Sequence, residues 1–222
     1  MGRFRRSRIL CRELEDVFRD RTVRKIDAYA CAMAVLFEDL RIEMAGLSEI
    51  EIKVMDVTGH RTNYFLRRSI ATLKEFAHAI TDLNRLPEFA TVKERFDKET
   101  LRRWERAIRY FNRYGASLIT PVRHGIGGHF RHTAAEHALE DEIKGSVSGS
   151  IEVTENELHI GGFHLHFARH IATAAMTEKV PGTDEFARKF RFMFRRTMHG
   201  YQHAIRATEA IVQFHLWGKF GG

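Results

Sequence analysis

Apolar residues recur at intervals of three and four positions along most of this chain, as they do in helices that bury one face. Between Ile26 and Met44, and again between Leu66 and Leu83, the recurrence is regular enough to predict long amphipathic helices. The predicted helices cover 25–45, 63–86, 89–118 with an internal break capped by Asp97 or Thr100, 129–143, 169–179 and 184–212. Gly46 and Pro87 are the predicted stops of the first two helices.

The last predicted helix carries a series of large apolar residues. We predict that its buried stripe consists of Phe186, Phe190, Phe194, Tyr201, Ile205 and Val212. In contrast, the pattern near residue 150 changes to alternation, with Ile151 and Val153 before the turn sequence Gly161-Gly162 and Phe163 and Leu165 after it. This alternation predicts a hairpin or a small three-stranded meander.

The whole pattern predicts a mainly α protein, an up-down helical bundle with a small β-hairpin or meander insertion at about 150–167. A chain of 222 residues is long enough for one sizeable core. We therefore predict a single helical domain over 1–222, in which 1–24 is a basic N-terminal helix or arm and 146–167 is the β insertion.

Composition narrows the class of protein. Apolar residues make up 44% of the chain and charged residues 29%, as in soluble globular proteins. Apolar runs stay well short of the roughly 20 residues that a membrane span needs, and the arginine-rich start lacks the apolar stretch of a secretory signal. We expect a cytoplasmic protein with no membrane partner, in which Cys11 and Cys31 each pack as a small apolar residue rather than in a disulfide framework.

Positive charge is concentrated in parts of the chain. The formal net charge is +7, and residues 1–24 hold eight arginines against four acidic residues. Five more arginines form a strip on the polar side of the 89–118 segment: Arg102, Arg103, Arg106, Arg109 and Arg113. Because a planar guanidinium group suits phosphate, this strip is a candidate nucleic-acid-binding surface, and the alternative is a solvated face with helix-face ion pairs.

Three glycines, two histidines and an arginine are concentrated between Pro121 and Phe130. Glycine costs a helix interior up to about 1 kcal/mol relative to alanine, so the segment predicts a tight bend. Arg123, His124 and His129 lie in this bend. Histidine can transfer protons near neutral pH and arginine can stabilise a charged phosphorane, and RNA cleavage by its own 2′-oxygen needs both.

The order of Arg123, the polar His124, four further residues and His129 resembles the motif of the HEPN superfamily of all-α proteins. The resemblance covers this motif and a helical-bundle context. It implies a homodimer that cleaves RNA without a metal or other cofactor. By position, Arg123 would bind phosphate, His129 would be the acid, base or 2′-hydroxyl-orienting residue, and His124 would be the polar auxiliary. The implied partners are RNA, a second copy of the chain, and an antitoxin or another protein.

Two other functions stay open. A non-catalytic helical module could hold nucleic acid or an acidic protein on the basic arm and the arginine strip. A metal-binding protein is the other, because eight of the thirteen histidines lie between His124 and His170. Its candidate ligands are His132, His137, His164, His166 and His170. Their spacing fits no established zinc signature, and strand histidines also occur on half-buried surfaces, so we predict no metal site.

Overall fold

The computed structural model describes residues 18, 20–48, 57–115, 119, 151–153, 163–165, 172 and 186–217. Its α-helices are α1 (Arg24–Ser48), α2 (Val57–Arg85), α3 (Ala90–Lys93), α4 (Lys98–Tyr114) and α5 (Phe186–Ile211). Short 3₁₀ turns at Arg21–Val23 and Pro87–Phe89 precede α1 and α3, and a π-helical turn at Val212–Leu216 follows α5. The described part is therefore mainly α, which confirms the predicted fold class at that level.

Two strands, β1 (Ile151–Val153) and β2 (Phe163–Leu165), pair in antiparallel register with Glu152 opposite His164. The rest of the predicted insertion over 146–167 lies outside the described residues, so the hairpin or meander stays a prediction. Most of the N-terminal arm, the helix predicted over 129–143 and all but residue 172 of the helix predicted over 169–179 also lie outside them.

Successive long helices run in opposite directions. Glu43 on α1 contacts Thr72 on α2, and Asn84 on α2 accepts a hydrogen bond from Trp104 on α4. The contact of Phe76 with Phe111 continues the antiparallel α2–α4 packing. The described helices thus form an up-down arrangement with α2 at its centre.

Helix α2 is central because its apolar stripe is buried from Leu66 to Leu83. The predicted stripe is confirmed, since its members are all buried: Leu66, Ile70, Leu73, Ala77, Ile80 and Leu83. Phe76 and the small polar residues Ser69 and Thr72 are buried as well, which widens the buried face beyond one stripe. A helix in contact with several neighbours needs this wider apolar face.

Gly46 does not end α1, as the sequence had suggested, because the helix continues to Ser48. Its role is close packing. A Cβ atom at position 46 would lie 2.5 Å from ring atoms of Phe65 on α2, which is closer than any side chain could approach. Cys31 corrects a second expectation, since it is exposed rather than packed as a small apolar residue.

The break between α3 and α4 follows the prediction. Asp97 caps α4, with its side chain accepting a hydrogen bond of 2.7 Å from the backbone N–H of Thr100. Trp104 then enters an aromatic cluster, 5.1 Å from Phe89 and 5.9 Å from Phe96 between ring centroids.

The buried face of α5 differs from the predicted aromatic stripe. Most of its buried positions are small residues: Thr197, Gly200, Ala204, Ala207, Thr208 and Ala210, with Met193 and Ile211 at the two ends. Phe190, Phe194 and Tyr201 lie at the edge of the core, and Val212 is exposed. Small residues bring the axis of α5 close to its neighbours, so the large side chains are displaced to the flanks.

Two buried polar pairs join the helices. His215 Nε2 lies 2.7 Å from Asp27 Oδ1, which links the turn after α5 to the start of α1. The second pair is on α1 and α2, where the Thr72 hydroxyl donates a 2.8 Å hydrogen bond to Glu43 Oε1 and Arg68 Nε lies 3.7 Å from the same oxygen. Burial raises the pKa of Glu43 to about 7.

Candidate nucleic-acid interface

The residues of the HEPN-like motif, Arg123, His124 and His129, lie outside the described residues. The structure therefore neither places them together nor separates them. The same holds for the side chains of the histidines considered as metal ligands. Among the residues that the structure does describe, no group of three or more His, Cys, Asp or Glu side chains could hold a metal ion.

The described part contains a different candidate site, on α4 and α5. These helices pack antiparallel: Tyr110 of α4 donates its hydroxyl hydrogen to the backbone carbonyl of Arg196 on α5. Arg106 lies one turn before Tyr110 on α4, and its positive charge helps to lower the pKa of His203 on α5. The His203 ring lies 4.7 Å from the Tyr110 ring. One turn in the other direction, the Arg196 guanidinium lies over the ring of Tyr114.

The predicted arginine strip divides into two groups in the structure. Arg106, Arg109 and Arg113 line a groove of about 760 Å³, together with Tyr110, Tyr114 and His203. Arg102 is exposed and lies one turn before Arg106 on the same helix face. Arg103, in contrast, forms a 2.9 Å ion pair with Glu99. Three of the five predicted residues therefore line the groove, and Arg103 has an acidic partner of its own.

The second wall of basic residues is on α5, and our interpretation of the sequence did not include it. A smaller groove of about 280 Å³ is lined by Arg188, Arg191, Phe192, Arg195, Arg196 and His199. Along the helix, Arg196, His199, His203 and Arg206 follow one another at intervals of three and four residues, so they share one face. The spacing was visible in the sequence, but nothing in it indicated that this face lies beside the α4 strip.

Counting charges by helix shows how concentrated the positive charge is. Helices α4 and α5 together contain twelve Lys and Arg residues and three Glu, a net charge of +9. The whole chain carries +7, so the other residues sum to a net charge of −2. Counting the charged residues of each predicted helix would have identified α5 as a basic helix from the sequence.

Few carboxylates neutralise these arginines. Glu105 lies 3.7 Å from Arg109, and both side chains are more than half exposed, so the pair is weak. Within the described ranges, no carboxylate lies within 4 Å of Arg106, Arg191, Arg195, Arg196 or Arg206. These five arginines therefore carry positive charge that no described carboxylate neutralises.

The pKa of His203 is lowered mainly by burial and further by the neighbouring positive charges. Burial, together with Arg206, His199 and Arg106, lowers the pKa of His203 to about 4. Its Nδ1 atom is buried, and no described group lies within hydrogen-bond distance of it. At neutral pH this imidazole is uncharged, so His203 adds no positive charge to the groove.

The helices that the structure describes include none long and apolar enough to cross a bilayer. Comparison with family models, with curated proteins and with solved structures finds no match to this chain. The groove and the sequence motif are therefore the two features that indicate a function.

Proposed function

We propose that this protein binds RNA through its phosphate backbone in the groove between α4 and α5. One observation carries the proposal: the arginine-lined groove of α4 lies next to the arginine-lined groove of α5, the two being joined by the contact of Arg196 with Tyr114, and few of the described carboxylates lie among these arginines. Guanidinium groups form paired, charge-assisted hydrogen bonds with phosphate oxygens, so this arrangement suits a polymer of phosphates.

The length of the surface also supports a polymeric ligand. From Arg188 to Arg206 there are 18 residues of helix, which at 1.5 Å per residue extend over about 27 Å. Along one strand of a duplex, phosphates follow every 3.4 Å or so, and in either a duplex or a single strand several would lie within this span. A small phosphorylated metabolite would use only a fraction of these arginines.

The choice of RNA rather than DNA rests on the sequence motif. As a second part of the proposal, Arg123 would bind the scissile phosphate, His129 would transfer the proton or orient the 2′-hydroxyl, and His124 would assist. The groove would then hold the strand while the motif cleaves it without a metal. Binding and cleavage are separate claims, and each has its own test.

Binding is tested with fluorescently labelled single-stranded RNA over a range of salt concentrations. One variant changes the α4 wall: Arg106→Gln, Arg109→Gln and Arg113→Gln. A control removes the same charge outside both groove linings: Arg24→Gln, Arg41→Gln and Arg95→Gln. If each of the three groove arginines contacts a phosphate, the slope of log Kd against log salt concentration should be smaller by about 2 in the groove variant than in the wild type. Each phosphate contact on a single strand contributes roughly 0.7 to this slope.

The control variant should keep the slope of the wild type. Equal losses in the two variants would show that only net charge matters and would remove the groove as the binding site. A DNA strand of the same length tests the preference for RNA, and a poly-glutamate chain tests the alternative of an acidic protein partner. Equal affinity for poly-glutamate would favour that alternative.

Cleavage is tested with the same RNA in the presence of EDTA. The proposal expects turnover by the wild type and its loss in Arg123→Ala and in His129→Ala, each with unchanged thermal stability. Binding without turnover would leave a non-catalytic RNA-binding module. Unchanged cleavage in both variants would remove the motif from the proposal.

The rest of the proposal concerns assembly and setting. We propose a cytoplasmic homodimer, with an antitoxin or another protein as a further partner and with a β insertion over 146–167. Analytical ultracentrifugation of the full chain tests the dimer directly.

A further inference from the structure

Arg196 of the groove contacts two aromatic rings, whereas the described contacts of Arg113 include one, the ring of Tyr114 at 5.4 Å. The Arg196 guanidinium carbon lies 4.3 Å from the ring centroid of Tyr114 on α4 and 5.0 Å from that of Phe192 on its own helix. Its backbone carbonyl accepts the hydrogen bond from Tyr110. The residue is thus fixed at its side chain by two aromatic rings and at its backbone by the neighbouring helix.

This arrangement has a consequence for phosphate binding. A free arginine loses considerable side-chain entropy when it is ordered by a ligand, whereas a guanidinium already held by aromatic rings loses less. Aromatic faces attract the cation without using its N–H groups, because the interaction is with the ring and not with a hydrogen-bond acceptor. The N–H groups around the edge of the guanidinium remain suited to a bidentate contact with phosphate.

Arg195 provides the comparison. Arg195 lies next to Arg196 on the same helix, lines the same smaller groove and carries the same charge. It is exposed, whereas Arg196 is half-buried. None of the aromatic contacts that the structure describes involves the Arg195 guanidinium. The two neighbours therefore differ in how they are held and not in their charge.

We infer that Arg196 is the pre-organised phosphate-binding fork of the groove, and that Tyr114 and Phe192 act on RNA affinity by holding it. Tyr114 and Phe192 are positioning residues in this scheme. The other arginines attract the strand by charge, and Arg196 fixes one phosphodiester in place. This inference rests on the proposed function, because it assigns a role within RNA binding.

The test compares Arg196→Lys with Arg195→Lys, since both variants keep the positive charge. A lysine presents a point charge and not a planar fork. We expect Arg196→Lys to lower RNA affinity about tenfold, as the loss of one of two charge-assisted bonds would, and Arg195→Lys to lower it less than about threefold. The salt dependence should be the same in both, because no charge is removed.

A double-mutant cycle then tests how Phe192 acts, because the ring of Phe192 contacts Arg196 whereas the ring of Tyr114 contacts Arg113 as well. Phe192→Leu should weaken binding in the wild type but have little further effect in Arg196→Lys, whereas its effect should be additive with that of Arg195→Lys. Additivity in both cycles would overturn the inference, because it would mean that Phe192 contacts RNA directly or acts only on folding.

A readout without RNA keeps the inference separate from the proposed function. The ¹⁵Nε relaxation of Arg196 should show a more ordered side chain than that of Arg195, and Tyr114→Leu should remove the difference. Equal order in the two wild-type arginines would overturn the inference even if RNA binds. If the wild type binds no RNA, the proposed function fails, and the fork fails with it.

Discussion

Glu43 makes protein stability depend on pH in a direction that is unusual for a carboxylate. Its side chain is 7% exposed, and burial raises its pKa to about 7 from an ordinary value of 4.5. The folded state therefore binds the proton more tightly than the unfolded state does. The stability that this provides is complete below pH 4.5 and is lost as the pH rises through 7.

The magnitude follows from the size of the shift. A difference of about 2.5 pKa units, at 1.36 kcal/mol per unit, corresponds to about 3 kcal/mol of folding free energy. Between pH 5 and 7 the free energy of unfolding should fall by up to about 1.4 kcal/mol per pH unit from this group alone. Glu43→Gln has no proton to release, so it should be more stable than the wild type at pH 8 by up to about 3 kcal/mol.

The assay is urea unfolding followed by far-UV circular dichroism, at constant ionic strength and at intervals from pH 5 to pH 9. The informative quantity is the difference between wild type and variant as a function of pH, because other titrating groups cancel in it. Glu38→Gln on the same helix is the control: its carboxylate is exposed and paired with Arg41 at 2.9 Å, so its removal should cost at most about 1 kcal/mol at every pH.

A second variant tests the hydrogen bond from Thr72, which lowers the pKa of Glu43 and so opposes the effect of burial. The Thr72 hydroxyl donates to the Glu43 carboxylate, and a hydrogen bond to a charged acceptor is worth more than one to a neutral acceptor. Thr72→Val should therefore destabilise the protein by about 1 kcal/mol more at pH 8 than at pH 5. If the difference between wild type and Glu43→Gln does not change between pH 5 and pH 8, the carboxylate is not protonated in the folded state and the reasoning is wrong.

Three further predictions concern α4 and α5. Because the pKa of His203 is lowered to about 4 in the folded state, the unfolded state binds a proton first as the pH falls from 6.5 to 4. The free energy of unfolding should fall by roughly 2–3 kcal/mol over this range, and His203→Gln should remove this loss in urea titrations. Asp97→Ala should lower the Tm, because the N-cap hydrogen bond to the backbone of Thr100 is lost; an unchanged Tm would contradict this. Gly200→Ala should lower the free energy of unfolding by about 1–3 kcal/mol, since a Cβ at position 200 would lie 2.8 Å from Leu73 Cδ1. The matched control is Gly115→Ala, where an added Cβ meets no described neighbouring atom within 4 Å, so this change should be neutral or stabilising.

The helices whose buried residues are large could be predicted from sequence alone. In α2 every predicted stripe residue from Leu66 to Leu83 is buried, because large aliphatic residues at helical spacing have few other ways to leave water. Helix α5 shows where this reasoning fails. Its aromatic residues and its small residues both recur at helical spacing, so the spacing does not distinguish them. Only the close approach of α2 and α4 decides which set is buried.

The candidate site shows the same limit. The arginine strip on α4 was visible as a local pattern, but the second wall on α5 begins more than 70 residues later in the sequence. The link between Asp27 and His215 joins positions 188 residues apart and has no sequence signal at all. Local spacing predicts which residues share a helix face, and it does not predict which two faces lie side by side.

The small residues of α5 and the positive charge of the groove are physically connected. With Gly200 against Tyr110 of α4, the helices approach closely enough to desolvate the half-buried His203 and to bring arginines of both helices near it, and the pKa of His203 falls for both reasons. Such crowding of like charge opposes folding, and the apolar core beneath the helices must offset it. A polyanion in the groove would remove that repulsion and would add its binding free energy to the folded state alone. RNA that binds in the groove should therefore have two effects through the same electrostatics: it should stabilise the folded protein, and it should raise the pKa of His203.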